Sequence, residues 1–208
     1  MFTVKEIFFS IQGEGAHRGR PAVFCRFSGC NLWNGKESDR AKSICDFCDT
    51  DFVGVNEDGG KFSSANELAA AILDRWPEEQ PQPYVIFTGG EPLLQLNSEL
   101  VLAAKAQGFE VAIETNGTLI PPDGIDWICV SPKMGAEMKL KTGSELKLVY
   151  PQKNCDPADF LKLEFERFFL QPLDGPEHEA NIAAAYDYCE QHSPWELSIQ
   201  TQKLVGIR

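Results

Sequence analysis

Short apolar or alternating runs are separated along the chain by segments whose apolar positions recur at helical spacing. The short runs predict strands at 4–11, 22–27, 84–87, 110–114, 127–130, 145–150, 167–170 and 196–199. The run at 145–150 alternates charged and bulky residues, so we expect an outer or edge strand there.

Helix signals lie between these strands. Ser64 followed by Glu67 predicts a capping box and a helix that runs to about residue 76. Ser98 begins a second helix, and Gly108 is placed to end it. Asp156 before Pro157 predicts the cap of a short helix, and a longer helix is expected at about 178–191.

Strands that alternate with helices predict an α/β fold with a mainly parallel sheet. In such folds the reactive face lies at the carboxyl ends of the strands. Polar residues follow the apolar runs at several of these ends, at 88–91, 114–116, 131–133, 171 and 200–201. We therefore expect the rim of an active site along this edge of the sheet.

Composition narrows the classes of function. The 208 residues are 43% hydrophobic and 24% charged, typical of a globular protein, and we expect one domain over 1–208. No apolar stretch approaches the roughly 18 residues of a membrane span, and the first residues do not resemble a signal peptide, so we expect a cytoplasmic protein without a membrane partner. The net charge of −12 argues against nucleic acid as a partner.

Three of the seven cysteines form a cluster in sequence, with fourteen residues between Cys30 and the pair Cys45 and Cys48. Four thiolates would close a structural zinc site, whereas three leave one position of a metal centre open. From these residues alone a zinc site, an iron–sulfur cluster and the absence of a metal all remain open. We expect the other cysteines to serve packing or to be incidental; they are Cys25, Cys129, Cys155 and Cys189.

The cysteine spacing followed by T-G-G-E-P at 88–92 resembles the radical S-adenosylmethionine (SAM) enzymes, with an enlarged first gap. Further segments resemble the 7-carboxy-7-deazaguanine synthases: Q-G-E-G at 12–15, R-P-A-V-F-C-R-F-S-G-C-N-L-W at 20–33, C-D-F-C-D-T-D-F at 45–52, I-E-T-N-G at 113–117, V-S-P-K at 130–133 and S-I-Q-T-Q-K at 198–203. The resemblance implies a shortened, incomplete (β/α) barrel, a single radical SAM core domain with an extended cluster-binding loop at about 30–52, and a homodimer.

The resemblance also implies a reaction. A 4Fe–4S cluster with SAM on its open iron would receive an electron from a flavodoxin-like donor and yield a 5′-deoxyadenosyl radical. The radical would take hydrogen from C6 of 6-carboxy-5,6,7,8-tetrahydropterin. Ring contraction and loss of ammonia would then give 7-carboxy-7-deazaguanine, a precursor of queuosine and related 7-deazapurines.

The family's site residues carry over by position. The cluster would be held by Cys30, Cys45 and Cys48, and Mg²⁺ by Thr50. The substrate would be bound by Gln12, Gly13, Glu14, Arg26 and Thr88. SAM would be bound by Phe47, Cys48, Asp49, Gly90, Glu114, Ser131, Pro132, Lys133 and Gln171. Arg26 suits a carboxylate because guanidinium can bind it through two hydrogen bonds, although pairing with a surface acid is the alternative.

The resemblance leaves three matters open. Gln202 stands where the family is expected to have histidine, and an amide does not titrate near neutral pH. The inserted segment at 31–44 is expected to form a short helix at 37–43 or a plain loop, and it is a possible docking surface for the electron donor. Alternative functions are another radical SAM enzyme, such as a glycyl-radical activase, and a zinc-stabilised module without redox chemistry.

Overall fold

One nine-stranded sheet organises the computed structural model, which describes residues 1–207. The strands are β1 (Phe2–Ile11), β2 (Pro21–Phe27), β3 (Gly60–Phe62), β4 (Tyr84–Gly89), β5 (Glu110–Thr115), β6 (Trp127–Val130), β7 (Thr142–Tyr150), β8 (Glu164–Pro172) and β9 (Trp195–Leu197). Their order across the sheet is β3-β1-β2-β4-β5-β6-β7-β8-β9. Neighbours from β2 to β9 pair in parallel, and β1 pairs antiparallel with β2 and β3. The predicted mainly parallel α/β fold is confirmed.

The helices α1 (Ala65–Leu73), α2 (Ser98–Ala106) and α3 (His178–Gln191) cover one face of this open sheet. The short α4 (Thr201–Val205) follows β9 and lies on the other face, where Gln202 contacts Glu14. The side chain of Ser64 accepts a hydrogen bond from the backbone of Glu67, so the predicted cap of α1 is present, although α1 ends at Leu73 and not near residue 76. Gly108 follows α2 with φ of +88°, a conformation that favours glycine, as predicted.

Alternation along β2 shows how the sheet separates core from cavity. Val23, Cys25 and Phe27 are fully buried in the core that includes α1 and α2. Phe24 and Arg26, which point to the opposite face, line a cavity. One face of the sheet therefore carries the hydrophobic core, and the other carries the candidate site.

The prediction of an outer or edge strand near 145–150 is wrong. β7 lies inside the sheet and pairs with both β6 and β8. Leu146 and Leu148 are fully buried in the core beside α3, whereas Lys147 lines the cavity. The charged residues alternate with bulky ones because they face a polar cavity, and not because the strand faces solvent.

Smaller elements differ in detail from the prediction. β9 spans Trp195–Leu197 and not 196–199, and neither β3 nor α4 was predicted. Short 3₁₀ helices occupy Glu37–Lys42, Pro92–Leu94 and Pro157–Phe160. The first of these confirms a short helix in the inserted segment, and the third begins after the predicted Asp156 cap. Among residues 1–207, no helix combines the length and apolar character required to cross a membrane.

Candidate active site

A cavity of about 570 Å³ opens on the face of the sheet opposite α1, α2 and α3 and extends to the carboxyl ends of the parallel strands. Every predicted site residue except Pro132 lines it: Gln12, Gly13, Glu14, Arg26, Cys30, Cys45, Phe47, Cys48, Asp49, Thr50, Thr88, Gly90, Glu114, Ser131, Lys133 and Gln171. Pro132 is buried behind the lining, where its carbonyl accepts a hydrogen bond from Gln152 at 3.2 Å. The fold thus gathers residues that lie far apart in sequence around one space.

The three clustered cysteines line this cavity together. Burial raises the pKa of the Cys30 thiol, whereas a hydrogen bond from Cys45 lowers the pKa of Cys48 to about 6. Within residues 1–207, no three His, Cys, Asp or Glu side chains are arranged to hold one metal ion. Three thiols at one cavity suit an iron–sulfur cluster that keeps one iron open to a further ligand.

Gly90 in the T-G-G-E-P segment lies against the segment that carries the first cysteine. A side chain there would collide with the carbonyl oxygen of Gly29, and its Cβ would lie 2.9 Å from the Cβ of Cys30. Glu91 is fully buried and accepts a hydrogen bond from the backbone of Asn116 at 2.8 Å. Because this hydrogen bond engages its carboxylate, Glu91 ties the end of β4 to the end of β5. The backbone of Gly90 lines the cavity.

A network around Glu14 closes one side of the cavity. One carboxylate oxygen accepts from Lys147 Nζ at 2.5 Å, and the other accepts from Gln200 at 2.8 Å and Gln202 at 3.0 Å. Burial raises the pKa of Glu14, but the charge of Lys147 and these hydrogen bonds outweigh it and lower the pKa to about 2. Glu14 is therefore ionised at neutral pH.

The same network reaches the end of β5. Gln12 donates to Glu114 at 2.9 Å, and Lys147 Nζ lies 3.5 Å from the same carboxylate oxygen. Lys147 is only 4% exposed, and the charges of Glu114 and Glu14 raise its pKa against the opposing effect of burial. Glu145, also buried, accepts from the backbone of Ala16 at 2.9 Å and fixes the loop that follows Glu14.

Sequence reasoning placed Gln200 at the rim of the site but did not identify Lys147 or Glu145 as parts of it. For these two, the available signal was an acidic and a basic residue two positions apart inside a predicted strand. A charged pair at this spacing shares one face of a strand, and a cavity is one of the few places where that face can be buried.

Arg26 of β2 pairs with Thr88 of the neighbouring strand β4, and both line the cavity. Its Nε donates to Glu6 at 2.8 Å, so an acidic partner is present, but the Glu6 side chain is only 13% exposed. The partner is thus part of the cavity region and not a surface acid. This ion pair fixes the orientation of the guanidinium beside the strand ends.

The remaining predicted residues lie on the side of β6 and β8. Lys133 Nζ donates to the carbonyl oxygen and the hydroxyl of Ser131, each at 2.7 Å. Gln171 Oε1 and Gln202 Oε1 are buried acceptors without a hydrogen-bond partner among the described residues. Such acceptors are uncommon in folded proteins, and at a cavity they fit a ligand that brings donors.

The carboxyl-terminal segment lies over the mouth of the cavity. Lys203 Nζ contacts Asp49 beside the cysteine pair and Asp174 after β8, each at 2.5 Å. Gln202, the residue before it, faces inward to Glu14. Residue 202, where the sequence departs from the expected histidine, is therefore a part of the cavity wall.

Comparisons with known proteins identify the family of this chain. The Radical SAM superfamily model matches residues 39–161. A protein of Bordetella pertussis named 7-carboxy-7-deazaguanine synthase is 59% identical over 207 residues, with 99% of each chain covered. A protein of Bradyrhizobium diazoefficiens with the same name is 57% identical over 208 residues, covering 100% of this chain and 99% of the relative.

A crystal structure of QueE from Escherichia coli superimposes with a TM-score of 0.70 at 24% identity, over 96% of this chain and 93% of that one. At this identity the superposition supports the fold alone. The sequence relatives at 57% and 59% identity establish the family. The chain belongs to the 7-carboxy-7-deazaguanine synthase family within the radical SAM superfamily.

Proposed function

We propose that this cavity is the active site of a lyase that contracts the ring of 6-carboxy-5,6,7,8-tetrahydropterin to 7-carboxy-7-deazaguanine with loss of ammonia, in queuosine and 7-deazapurine biosynthesis. The observation that carries the proposal is the convergence of Cys30, Cys45 and Cys48 with the Glu14 network in one cavity. One end of the space thus offers thiol ligands, and the other offers polar groups for a heterocycle.

Cys30, Cys45 and Cys48 would hold the 4Fe–4S cluster, and Gly90, which lines the same cavity and lies against the Cys30 segment, would contact SAM beside it. When bound, the cluster and SAM supply the 5′-deoxyadenosyl radical that takes hydrogen from substrate C6. Further SAM contacts are assigned to the cavity residues Phe47, Asp49, Glu114, Ser131, Lys133 and Gln171. Pro132 would act by shaping the turn between Ser131 and Lys133. Gln171 Oε1, which is buried and has no hydrogen-bond partner among the described residues, would accept a hydrogen bond from the ligand.

Glu14 and Gln12 would bind the amino and amide edge of the pterin, with Gly13 between them. An ionised carboxylate accepts from N–H groups more strongly than a neutral group does, and Lys147 keeps Glu14 ionised. Arg26 would bind the substrate carboxylate, beside Thr88 on the next strand. These contacts would orient the substrate between the two ends of the cavity.

Thr50 would provide a hydroxyl ligand for Mg²⁺, together with the substrate carboxylate and water. Thr50 lines the same cavity as the cysteines, which supports this assignment. Mg²⁺ commonly keeps several waters and takes few protein ligands. The activities of wild type and Thr50→Val, measured over a range of Mg²⁺ concentrations, would test the assignment. We expect Thr50→Val to require a higher Mg²⁺ concentration for half-maximal activity.

The wider setting is also part of the proposal. A flavodoxin-like protein would deliver the electron, the chain would act as a homodimer, and the enzyme would work in the cytoplasm. The net charge of −12 makes nucleic acid an unsuitable partner for the protein itself. Light scattering of the purified protein would test the dimer, and reduction by candidate flavodoxins would test the donor.

Anaerobic turnover tests the central proposal. The chain, reconstituted with iron and sulfide, is incubated with SAM, Mg²⁺, dithionite and 6-carboxy-5,6,7,8-tetrahydropterin, and 7-carboxy-7-deazaguanine is measured by mass spectrometry. We expect product from wild type and none from Cys45→Ala. Cleavage of SAM without this product would favour a different radical SAM reaction, and a colourless protein with one zinc per chain would refute the redox function.

A further inference from the structure

The inserted segment that separates the first cysteine from the pair contains one arginine with an unusual set of contacts. Arg40 lies in the 3₁₀ helix Glu37–Lys42, which contains no buried residue. Its guanidinium nevertheless turns back to the cysteine turn, where NH1 donates to the backbone carbonyl of Cys48 at 2.9 Å and of Asp46 at 3.2 Å. The insert thus contacts the backbone of the cysteine pair directly.

Two further contacts fix this guanidinium. Its carbon lies 4.0 Å from the ring centroid of Trp33, and its Nε donates to both carboxylate oxygens of Glu37 at 2.8 and 2.9 Å. The side chain is 27% exposed, although the helix that carries it lies at the surface. A planar guanidinium can lie flat on an aromatic ring and at the same time donate in its plane from a rigid fork, whereas a lysine ammonium has no planar group to stack.

Trp33 links this contact to the first cysteine. It lies three positions after Cys30 and is 7% exposed. Its ring packs edge-to-face on Phe52 with centroids 5.5 Å apart, and its indole N–H donates to the carbonyl of Lys36 at 3.2 Å. Arg40 therefore lies between the segment that follows Cys30 and the turn that contains Cys48.

We propose that Arg40 is a positioning residue for the iron–sulfur cluster. It holds the Cys45–Cys48 turn against the segment of Cys30 and places a permanent positive charge behind the ligand Cys48. This inference rests on the proposed function only in that the cluster is bound by these three cysteines. It gives the fourteen-residue insert a role in cluster binding.

Two consequences follow from this position. Hydrogen bonds that orient metal ligands commonly contribute about 10-fold or more to metal affinity. Net charge and hydrogen bonding around a cluster also set its reduction potential, and a nearby cation favours the reduced state because that state is more negative. Removal of the guanidinium should therefore weaken cluster retention and shift the potential to more negative values.

The test uses Arg40→Gln, Arg40→Lys and, as a matched control, Lys42→Gln, which removes the same charge from an exposed position in the same 3₁₀ helix. After anaerobic reconstitution, iron and sulfide content, the rate of iron loss to a chelator, the electron paramagnetic resonance spectrum of the reduced cluster and its midpoint potential are measured without SAM or substrate. Circular dichroism of the metal-free proteins reports folding.

We expect Arg40→Gln to lose iron about 10-fold faster than wild type, with an altered spectrum and a more negative potential. Lys42→Gln should match wild type. Arg40→Lys keeps the charge but not the planar group, so it should lose iron rapidly while its potential stays nearer to that of wild type. It also serves as the informative variant if Arg40→Gln folds poorly.

Equal behaviour of Arg40→Gln, Lys42→Gln and wild type in all four measurements would overturn the inference. So would equal shifts in Arg40→Gln and Lys42→Gln, because total charge would then explain the effect. A wild-type chain that binds no cluster would refute the proposed function itself. That result is distinct from a wild-type cluster that is insensitive to Arg40.

Discussion

The ammonium of Lys147 lies 2.5 Å from one carboxylate oxygen of Glu14, across 133 positions of sequence. The pair is nearly withdrawn from solvent, with the two side chains 4% and 12% exposed. Since Lys147 also lies 3.5 Å from Glu114, one cation separates two carboxylates on the cavity wall. This arrangement fixes the charge of the surface that we assign to pterin binding.

Replacement of Lys147 by methionine should destabilise the fold. The change leaves Glu14 buried without its charged partner, which commonly costs about 3–5 kcal/mol in the free energy of unfolding. Denaturant unfolding of the metal-free chain would measure the loss, and the KM for the pterin should rise because Glu14 is no longer held in place. The double variant with Glu14→Gln should recover part of the stability.

Lys203→Met is the matched control for this prediction. It also removes a lysine from contact with two carboxylates, but all three side chains are about 40% exposed. Exposed ion pairs contribute at most about 1 kcal/mol, so little stability should be lost. Equal losses for the two lysine variants would contradict the special role of the buried pair.

Glu14 should also produce a specific dependence of stability on pH. Its pKa is lowered from 4.5 to about 2, so the folded state favours the ionised form more than the unfolded state does. The contribution is fully present above pH about 4.5 and is lost as pH falls toward 2. Two to three pKa units correspond to about 3 kcal/mol.

Unfolding free energies of the metal-free wild type and Glu14→Gln, measured at intervals from pH 6 to the lowest pH at which the chain folds, would test this. The difference between the two proteins should shrink as the solution becomes more acidic. A difference that stays constant over this range would show that Glu14 has an ordinary pKa in the folded state.

Most of the fold could be predicted from sequence, because the apolar runs that form β2, β4 and β5 are recognisable within a few adjacent residues. The site was accessible because parallel strands bring their carboxyl ends to one edge, so that Thr88, Glu114 and Ser131 meet at one cavity. Each strand and the polar residues at its end are adjacent in the chain, so the sequence pattern identifies them.

The partners of the charged residues were not accessible in the same way. The alternating charges near Lys147 indicate a strand, but a pattern does not state whether the polar face meets water or a cavity. Likewise, nothing adjacent to Arg40 in sequence shows that it turns back to the carbonyl of Cys48. Such contacts depend on the path of the whole chain, and only the structure reveals them.

Gln202 gives a prediction about the pH profile of turnover. Its amide donates to Glu14 at 3.0 Å and does not titrate. Gln202→His should add an inflection near pH about 6.5 to kcat/KM for the pterin, because only a protonated imidazole donates with a full charge to Glu14. Below that pH the variant should bind best, and above it the KM should rise.

Gln202→Ala is the comparison for this variant. Loss of a hydrogen bond to a charged group costs about 1.5–3 kcal/mol, so the KM should rise about 10-fold or more without a new inflection. An identical pH profile for wild type and Gln202→His, measured under saturating SAM, would show that residue 202 does not affect the charge of the pterin site.

Gly90 provides the last prediction, on the cluster end of the cavity. In Gly90→Ala the new methyl group would collide with the carbonyl oxygen of Gly29 and lie 2.9 Å from the Cβ of Cys30, so the segment with the first ligand must shift. We expect about a 10-fold loss of cluster or SAM affinity, while the far-UV spectrum stays unchanged because the sheet core is untouched.

Gly60→Ala is the control, since its nearest neighbour is the Phe62 ring at 3.2 Å, away from the cavity. Iron content after gel filtration and SAM binding by calorimetry measure the effect. If Gly90→Ala retains both within about twofold of Gly60→Ala, a methyl group is tolerated there and the close approach of these two segments does not limit cofactor binding.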